Sequence, residues 1–173
     1  MSANLPIPTS KSAGTASDTR EDLITLTIAG QQFGIPVLRV HDVLSSRCIT
    51  RVPLASPEVA GSLNLRGRIV TAVDVRRRLG LPARPGDDPG MSIVVELDGE
   101  LYSLMVDGVG DVLSLSSDRF ERTPSTLDTR WRELSTGIYR LNGTLLVVLD
   151  IERLLGSLTA RPGDVSIERR NGR

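Results

Sequence analysis

The chain is poor in the residues that most often carry chemistry. One histidine (His41), one cysteine (Cys48) and one lysine (Lys11) stand among 173 residues. A single cysteine excludes an internal disulfide and any zinc site built on cysteines. Aromatic residues make up 3%, and the 21 basic and 21 acidic residues cancel. A nucleic-acid binder needs a basic stripe with aromatics for stacking, so both features argue against that class. There is no P-loop and no complete G-x-G-x-x-G, and no Ser or Cys stands in a G-x-S-x-G context. No apolar run approaches the roughly 18 residues that span a bilayer. The first 20 residues also lack the apolar core of a secretory signal. These absences point to a soluble cytoplasmic protein without direct membrane insertion. They leave no residue to assign to catalysis, a metal or a cofactor.

What the chain does have is a repeat. Residues 30–45, GQQFGIPVLRVHDVLS, return as 99–114, GELYSLMVDGVGDVLS, with seven of sixteen positions identical at an offset of 69. Residues 61–80, GSLNLRGRIVTAVDVRRRLG, return as 137–156, GIYRLNGTLLVVLDIERLLG, at an offset of 76. The order a-b-a′-b′ describes one structural unit used twice. A unit of some 65–75 residues is the size of a small barrel, and the seam between two such units is a common place for a partner to dock.

Alternation at period two dominates each copy. Ile24, Leu26 and Ile28 face one way and Thr25 and Thr27 the other, as in a half-buried strand; Ile93, Val95 and Leu97 repeat the pattern. Asp98-Gly99 and Asn142-Gly143 favour type I′ hairpin turns, and Arg66-Gly67 occupies the turn equivalent to the second. Each b segment ends in an Asp N-cap, a short helix and a Gly stop, at Asp74–Gly80 and Asp150–Gly156. Ser56-Pro57-Glu58 carries the signals of one further helical turn. The predicted fold is mostly β: two five-stranded SH3-like β-barrel subdomains side by side, with short helices. Residues 1–20 read as a disordered N-terminal tail and 157–173 as a flexible C-terminal tail, both poor in residues to bury. Residues 82–90, PARPGDDPG, read as a linker. Barrel boundaries are then about 21–86 and 91–156, with exchange of strands between the two left open.

Among charged residues Arg66, in Asn64-Leu65-Arg66-Gly67, stands out, because a tight turn at a barrel rim lets Arg reach a carboxylate, with Asp42 the candidate partner. The alternative is a solvated turn residue. Val37, Val40, Val43, Val109 and Val112 recur at matching places in both copies; most must be core, and one or two per copy can line a shallow groove. His41 and Cys48 read as packing or solvated residues, and Gly108-Val109-Gly110 as a strand bulge. Trp131 and Phe120 lie in the irregular stretch 116–134 and are expected to pin it to the barrels.

FGIPVLRVHDVL, SLNLRGRIVTAVDVRRRLG, LMVDGVGDVLSL and STGIYRLNGTLLVVLDIERLL together resemble the CheW family of chemotaxis coupling proteins, over about residues 22–156. Nothing like a histidine-kinase ATP site or a receiver domain accompanies them, so the resemblance is to a free-standing scaffold. It implies two SH3-like barrels in a CheW-like domain at 21–156. It also implies a non-catalytic adaptor, without cofactors, that couples the hairpin tips of chemoreceptors (methyl-accepting chemotaxis proteins) to the regulatory domain of a CheA-type histidine kinase. Such a protein is cytoplasmic and recruited to membrane-associated receptor arrays. By this resemblance Gly61, Arg66, Val109 and Val112 belong to a receptor-binding groove, and Val40 and Asp42 to kinase coupling and groove integrity. Asp42 stands where the family often has Glu. The remaining alternatives are an adaptor of a non-flagellar chemosensory array and a small β-barrel nucleic-acid-binding protein.

Overall fold

The computed structural model describes residues 19–45, 49–86, 88 and 90–159. Chain order runs β1 (Arg20–Ile28), β2 (Gln31–Pro36), a 3-10 turn at Val37–Arg39, β3 (Val40–Ser45), β4 (Val59–Leu65), β5 (Arg68–Asp74) and helix α1 (Val75–Arg78). The second copy follows as β6 (Met91–Leu97), β7 (Glu100–Val106), β8 (Gly108–Ser116), β9 (Phe120–Glu121), α2 (Thr129–Glu133), β10 (Ser135–Leu141), β11 (Thr144–Leu149) and α3 (Ile151–Thr159).

The strands form two sheets, in the orders β3-β6-β7-β5-β4 and β8-β1-β2-β11-β10-β9. Neither sheet coincides with 21–86 or 91–156. The β1–β2 hairpin joins strands of the second copy, and the β6–β7 hairpin joins strands of the first. The two joints are parallel pairs, β11 with β2 and β5 with β7, within otherwise antiparallel sheets. Each barrel is therefore completed by the other copy's hairpin. The physical reason lies in the short crossings: after β2 and after β7 the chain passes at once into the other sheet, through Val37–Arg39 and through Asp107.

Three apolar clusters follow from this exchange. One is enclosed by the first sheet and contains Leu44, Leu63, Leu65, Val70, Ala72, Val94 and Leu101. A second, in the other sheet, contains Leu23, Leu115, Tyr139, Leu146 and Val148. The largest lies between the sheets and takes Leu26, Ile35, Val95, Leu104, Val147 and Leu154 among others. Alternate residues of β1 and β6 thus serve different cores. Leu23 and Thr25 are buried opposite Ile24 and Leu26, so β1 is covered on both faces through part of its length rather than half-buried.

Several local expectations need correction. Arg20, placed in the N-terminal tail, pairs with Ser116 across β1 and β8, and the Thr19 carbonyl accepts the Ser117 N–H at 2.8 Å; ladder bonding needs no apolar side chain. Residues 1–18 lie outside the described residues. Gly156 does not stop α3, which runs to Thr159 because Leu154, Leu155 and Leu158 share one face on the central core. That packing outweighs a cost of about 1 kcal/mol for Gly in a helix. Residues 160–173 lie outside the described part. Ser56–Glu58 is a turn closed by Val59 N–H to Ser56 O at 2.9 Å, not a helix. Ala29-Gly30, Arg66-Gly67 and Asp98-Gly99 have the paired positive φ of type I′ turns, whereas Asn142 has no positive φ and only Gly143 does.

Candidate partner-binding surface

Arg66 is held by its turn. The Asn64 side-chain oxygen accepts the Gly67 N–H at 2.9 Å, and Arg66 itself sits at φ 51°, an uncommon conformation for a long side chain. From there its guanidinium donates to Asp42 at 3.1 Å. The other Asp42 oxygen accepts the Val43 N–H at 2.9 Å, which fixes the carboxylate. Asp42 sits at a register shift in β3, between Val40 and Asp42. Since β3 and β4 stand at opposite ends of their sheet, the ion pair ties its two edges together at the rim. Arg66 remains 83% exposed beside a carboxylate at 26%. Such a pair contributes about 0–1 kcal/mol to stability, so most of the guanidinium is free for a partner.

The valines sit on edge strands. Val40 and Val43 on β3, and Val109 on β8, are partly buried against the central core. Val112, opposite Ile24 on β1, is 54% exposed. By the repeat, Val40 corresponds to Val109 and Val43 to Val112, so the two sheets present matching apolar edges beside the seam. Gly61 is different. It is buried in β4 at a register shift, with φ 152°, and a Cβ there would meet the Thr50 carbonyl oxygen at 2.2 Å. Gly61 lets the 49–50 strand segment lie on β4 and is itself covered.

Of the remaining candidates, His41 pairs with Glu96 at 3.1 Å with both side chains exposed, and Cys48 lies outside the described residues. β8 does bulge: its register against β1 shifts between Ile24 and Leu26, past Gly110 and Asp111. Trp131 packs on Phe33 with ring centroids 5.3 Å apart, and Phe120 packs on Tyr139 at the same distance. No group of three or more His, Cys, Asp or Glu among the described residues is placed to hold a metal. No helix among them is long and apolar enough to cross a membrane.

Sequence reasoning missed one charged cluster. Asp107, at the second crossing, accepts two bonds from Arg76 at 2.8 and 2.6 Å, one from Arg84 at 3.0 Å and one from the Ala29 N–H at 2.7 Å. Its carboxyl is lowered to about 2, chiefly by the Arg76 hydrogen bonds, against the opposing effect of burial. Arg76 is raised in turn, chiefly by its bond to Asp107. Arg84 belongs to the stretch read as a linker, yet it also donates to the Val106 carbonyl at 2.6 Å, so that stretch is tied to the seam. Nothing in the local sequence around Arg84 signals this, since its partners are 22 and 23 residues away.

Comparison with known proteins completes the picture. The family model for the CheW-like domain matches residues 22–159. The chemotaxis protein CheW of Klebsiella aerogenes is 30% identical over 137 residues, covering 79% of this chain and 82% of that protein. CheW of Thermotoga maritima is 27% identical over 144 residues, covering 82% and 92%. Among solved structures, the crystal structure of the scaffolding protein TtCheW from Thermoanaerobacter tengcongensis superposes with a TM-score of 0.71 at 25% identity, covering 79% of this chain and 93% of that one. Nothing in these matches favours nucleic-acid binding.

Proposed function

The chain belongs to the CheW-like domain family, and from that membership we propose that it is a scaffold coupling chemoreceptor tips to a CheA-type histidine kinase in chemotaxis signalling. The receptor tip is a helical hairpin. A helix docks by laying apolar side chains into a groove flanked by polar anchors. The observation that carries this reading is the Arg66–Asp42 pair: a mostly exposed Arg, prepositioned by a strained turn and a fixed carboxylate, on the same barrel whose β3 edge carries Val40 and Val43. Val109 and the exposed Val112 on β8 supply the apolar side of the groove. Asp42 and Val40 keep its β3 wall in place, and Gly61 acts from below by allowing the Thr50 segment to sit close. The kinase regulatory domain takes a second face, and the protein joins the membrane-associated arrays through these contacts.

Arg66→Ala tests the assignment. Receptor affinity falls by about 2 kcal/mol or more, the usual cost of losing an Arg anchor, while the unfolding free energy changes by less than about 1 kcal/mol, as for an exposed ion pair. Binding of a receptor cytoplasmic fragment and a denaturant titration measure the two. Equal receptor affinity for wild type and variant overturns the site.

A further inference from the structure

The repeat makes every surface of one barrel a control for the other, and one pair of equivalent places differs sharply. At the offset of 69, Phe33 on β2 corresponds to Tyr102 on β7. Phe33 is fully buried because Trp131 of α2 lies on its ring, and the Trp131 indole N–H reaches the Leu79 carbonyl at the end of α1 at 3.3 Å. Tyr102 is buried too, at 7% exposure, but no aromatic ring of the described residues lies on it. An open cavity of about 440 Å³ lies there, walled by Val59, Thr71, Asp98, Glu100, Tyr102 and Leu158. The segment ahead of β4 does not fill it, since Val52 and Leu54 are exposed at 47% and 106%.

The two sites also differ in charge. Where the covered site has Ala29 and Gln31, the open one has Asp98 and Glu100. Their charges act on the cavity floor: the Tyr102 phenol is raised by burial first and then by Glu100 and Asp98. An occupant therefore needs both apolar side chains and positive charge. Leu158, on the last turn of α3, forms part of the wall, so residues 160–173 start at the rim. That segment, ARPGDVSIERRNGR, holds Val165 and Ile167 ahead of Arg169, Arg170 and Arg173, with Asp164 and Glu168 as its only acids. Seven residues separate Leu158 from Val165, a reach of up to about 23 Å when extended, more than a single cavity requires.

We infer that residues 160–173 fold back across the seam onto the first sheet and seat Val165 and Ile167 in the cavity over Tyr102, with the following arginines against Asp98 and Glu100. The segment is the first barrel's counterpart of Trp131, supplied from the chain's C-terminal side instead of from the segment before the fourth strand of the repeat.

Amide NMR spectra test this on the full chain, the chain ending at Thr159, and the full-length Ile167→Asp and Glu100→Arg variants. Truncation and Ile167→Asp shift the same amides, those of Leu97–Tyr102 and Thr71, and the shifts do not depend on protein concentration. Glu100→Arg releases the segment, so that its Val165 and Ile167 amides move to the positions they take in a free peptide of 160–173. Adding that peptide to the truncated chain returns the Leu97–Tyr102 amides toward their full-chain positions. Unchanged Leu97–Tyr102 amides on truncation, with Ile167 already at its free-peptide position in the full chain, overturn the inference and leave the cavity to another partner. Shifts that grow with protein concentration also overturn it, by assigning the cavity to a second copy.

Discussion

At Val37–Arg39 the chain leaves one sheet for the other through a 3-10 turn with no buried side chain, and Leu38 at its apex is 99% exposed. At Asp107 it makes the equivalent crossing in a single residue whose carboxylate is held by two arginines and a backbone N–H. The repeat aligns Leu38 with Asp107 and Glu152 on α3 with Arg76 on α1. Both crossings are tied to the second residue of the neighbouring helix, but with the charges exchanged: Arg39 to Glu152 at 2.7 Å in one, Asp107 to Arg76 at 2.6 Å in the other. The side chains of the first pair are 45% and 64% exposed, those of the second 11% and 20%. Two copies of one unit thus kept the connection and divided its roles. One crossing is a buried lock on the seam; the other is a solvated surface beside the valine edge.

The strand exchange at the root of this comparison gives the largest expected effect. Residues 19–86 and 91–159 expressed separately each lack the hairpin that completes a sheet, so neither gives the dispersed amide spectrum of a folded barrel, whereas mixing them restores it. A stably folded single fragment breaks the comparison, because the crossings would then join independent domains.

Next comes the lock itself. Asp107→Asn leaves Arg76 buried without its carboxylate and lowers the unfolding free energy by about 3 kcal/mol at neutral pH, as expected when one partner of a buried pair is removed. The sign of the pH dependence follows from the lowered carboxyl, at about 2 in the folded chain against 3.8 in its absence. A carboxyl depressed by folding stabilises above its unfolded value and loses that contribution as pH falls toward its folded one. The gap between wild type and Asp107→Asn in denaturant titrations therefore narrows between about pH 4 and pH 2. A constant gap across that range removes Asp107 as the ionised partner. Glu152→Ala, at the equivalent crossing, costs less than about 1 kcal/mol by the same titration, because its pair is solvated. Equal costs at the two crossings erase the contrast between lock and surface. Smallest of all, removing residues 1–18 shifts the melting temperature by no more than the scatter between repeat scans, since that segment offers little apolar surface to bury.

Much of the local structure is legible in the chain itself. The Asp74 and Asp150 carboxylates cap their helices by accepting the Arg77 and Arg153 N–H groups, as the Asp-helix-Gly pattern anticipates. Asp98-Gly99 turns as its residues require, and Trp131 and Phe120 do pin the long irregular stretch. The pairing of Arg66 with Asp42, raised as one of two readings of that turn, is present at 3.1 Å. These succeed because a cap, a tight turn or a rim contact depends on few neighbours. At Gly61 the reason for a glycine depends on a distant neighbour: the Thr50 carbonyl, packed against β4, leaves no room for a Cβ.

The sequence alone determined that one unit occurs twice, which strands belong to it, and which family it resembles, because identity at fixed offsets and period-two alternation are properties of the chain read in order. Tertiary structure alone decided which copy each hairpin completes, that Asp107, Arg76 and Arg84 meet, and that Trp131 lies over Phe33 while a cavity lies beside Tyr102. A repeat states which segments are alike, not which ones pair. That choice is made by the length of the crossings and by the central core, to which both copies contribute alternate residues of the same strands. The free energy of burying that core belongs to contacts between residues far apart in the chain, and no window of sequence contains both partners.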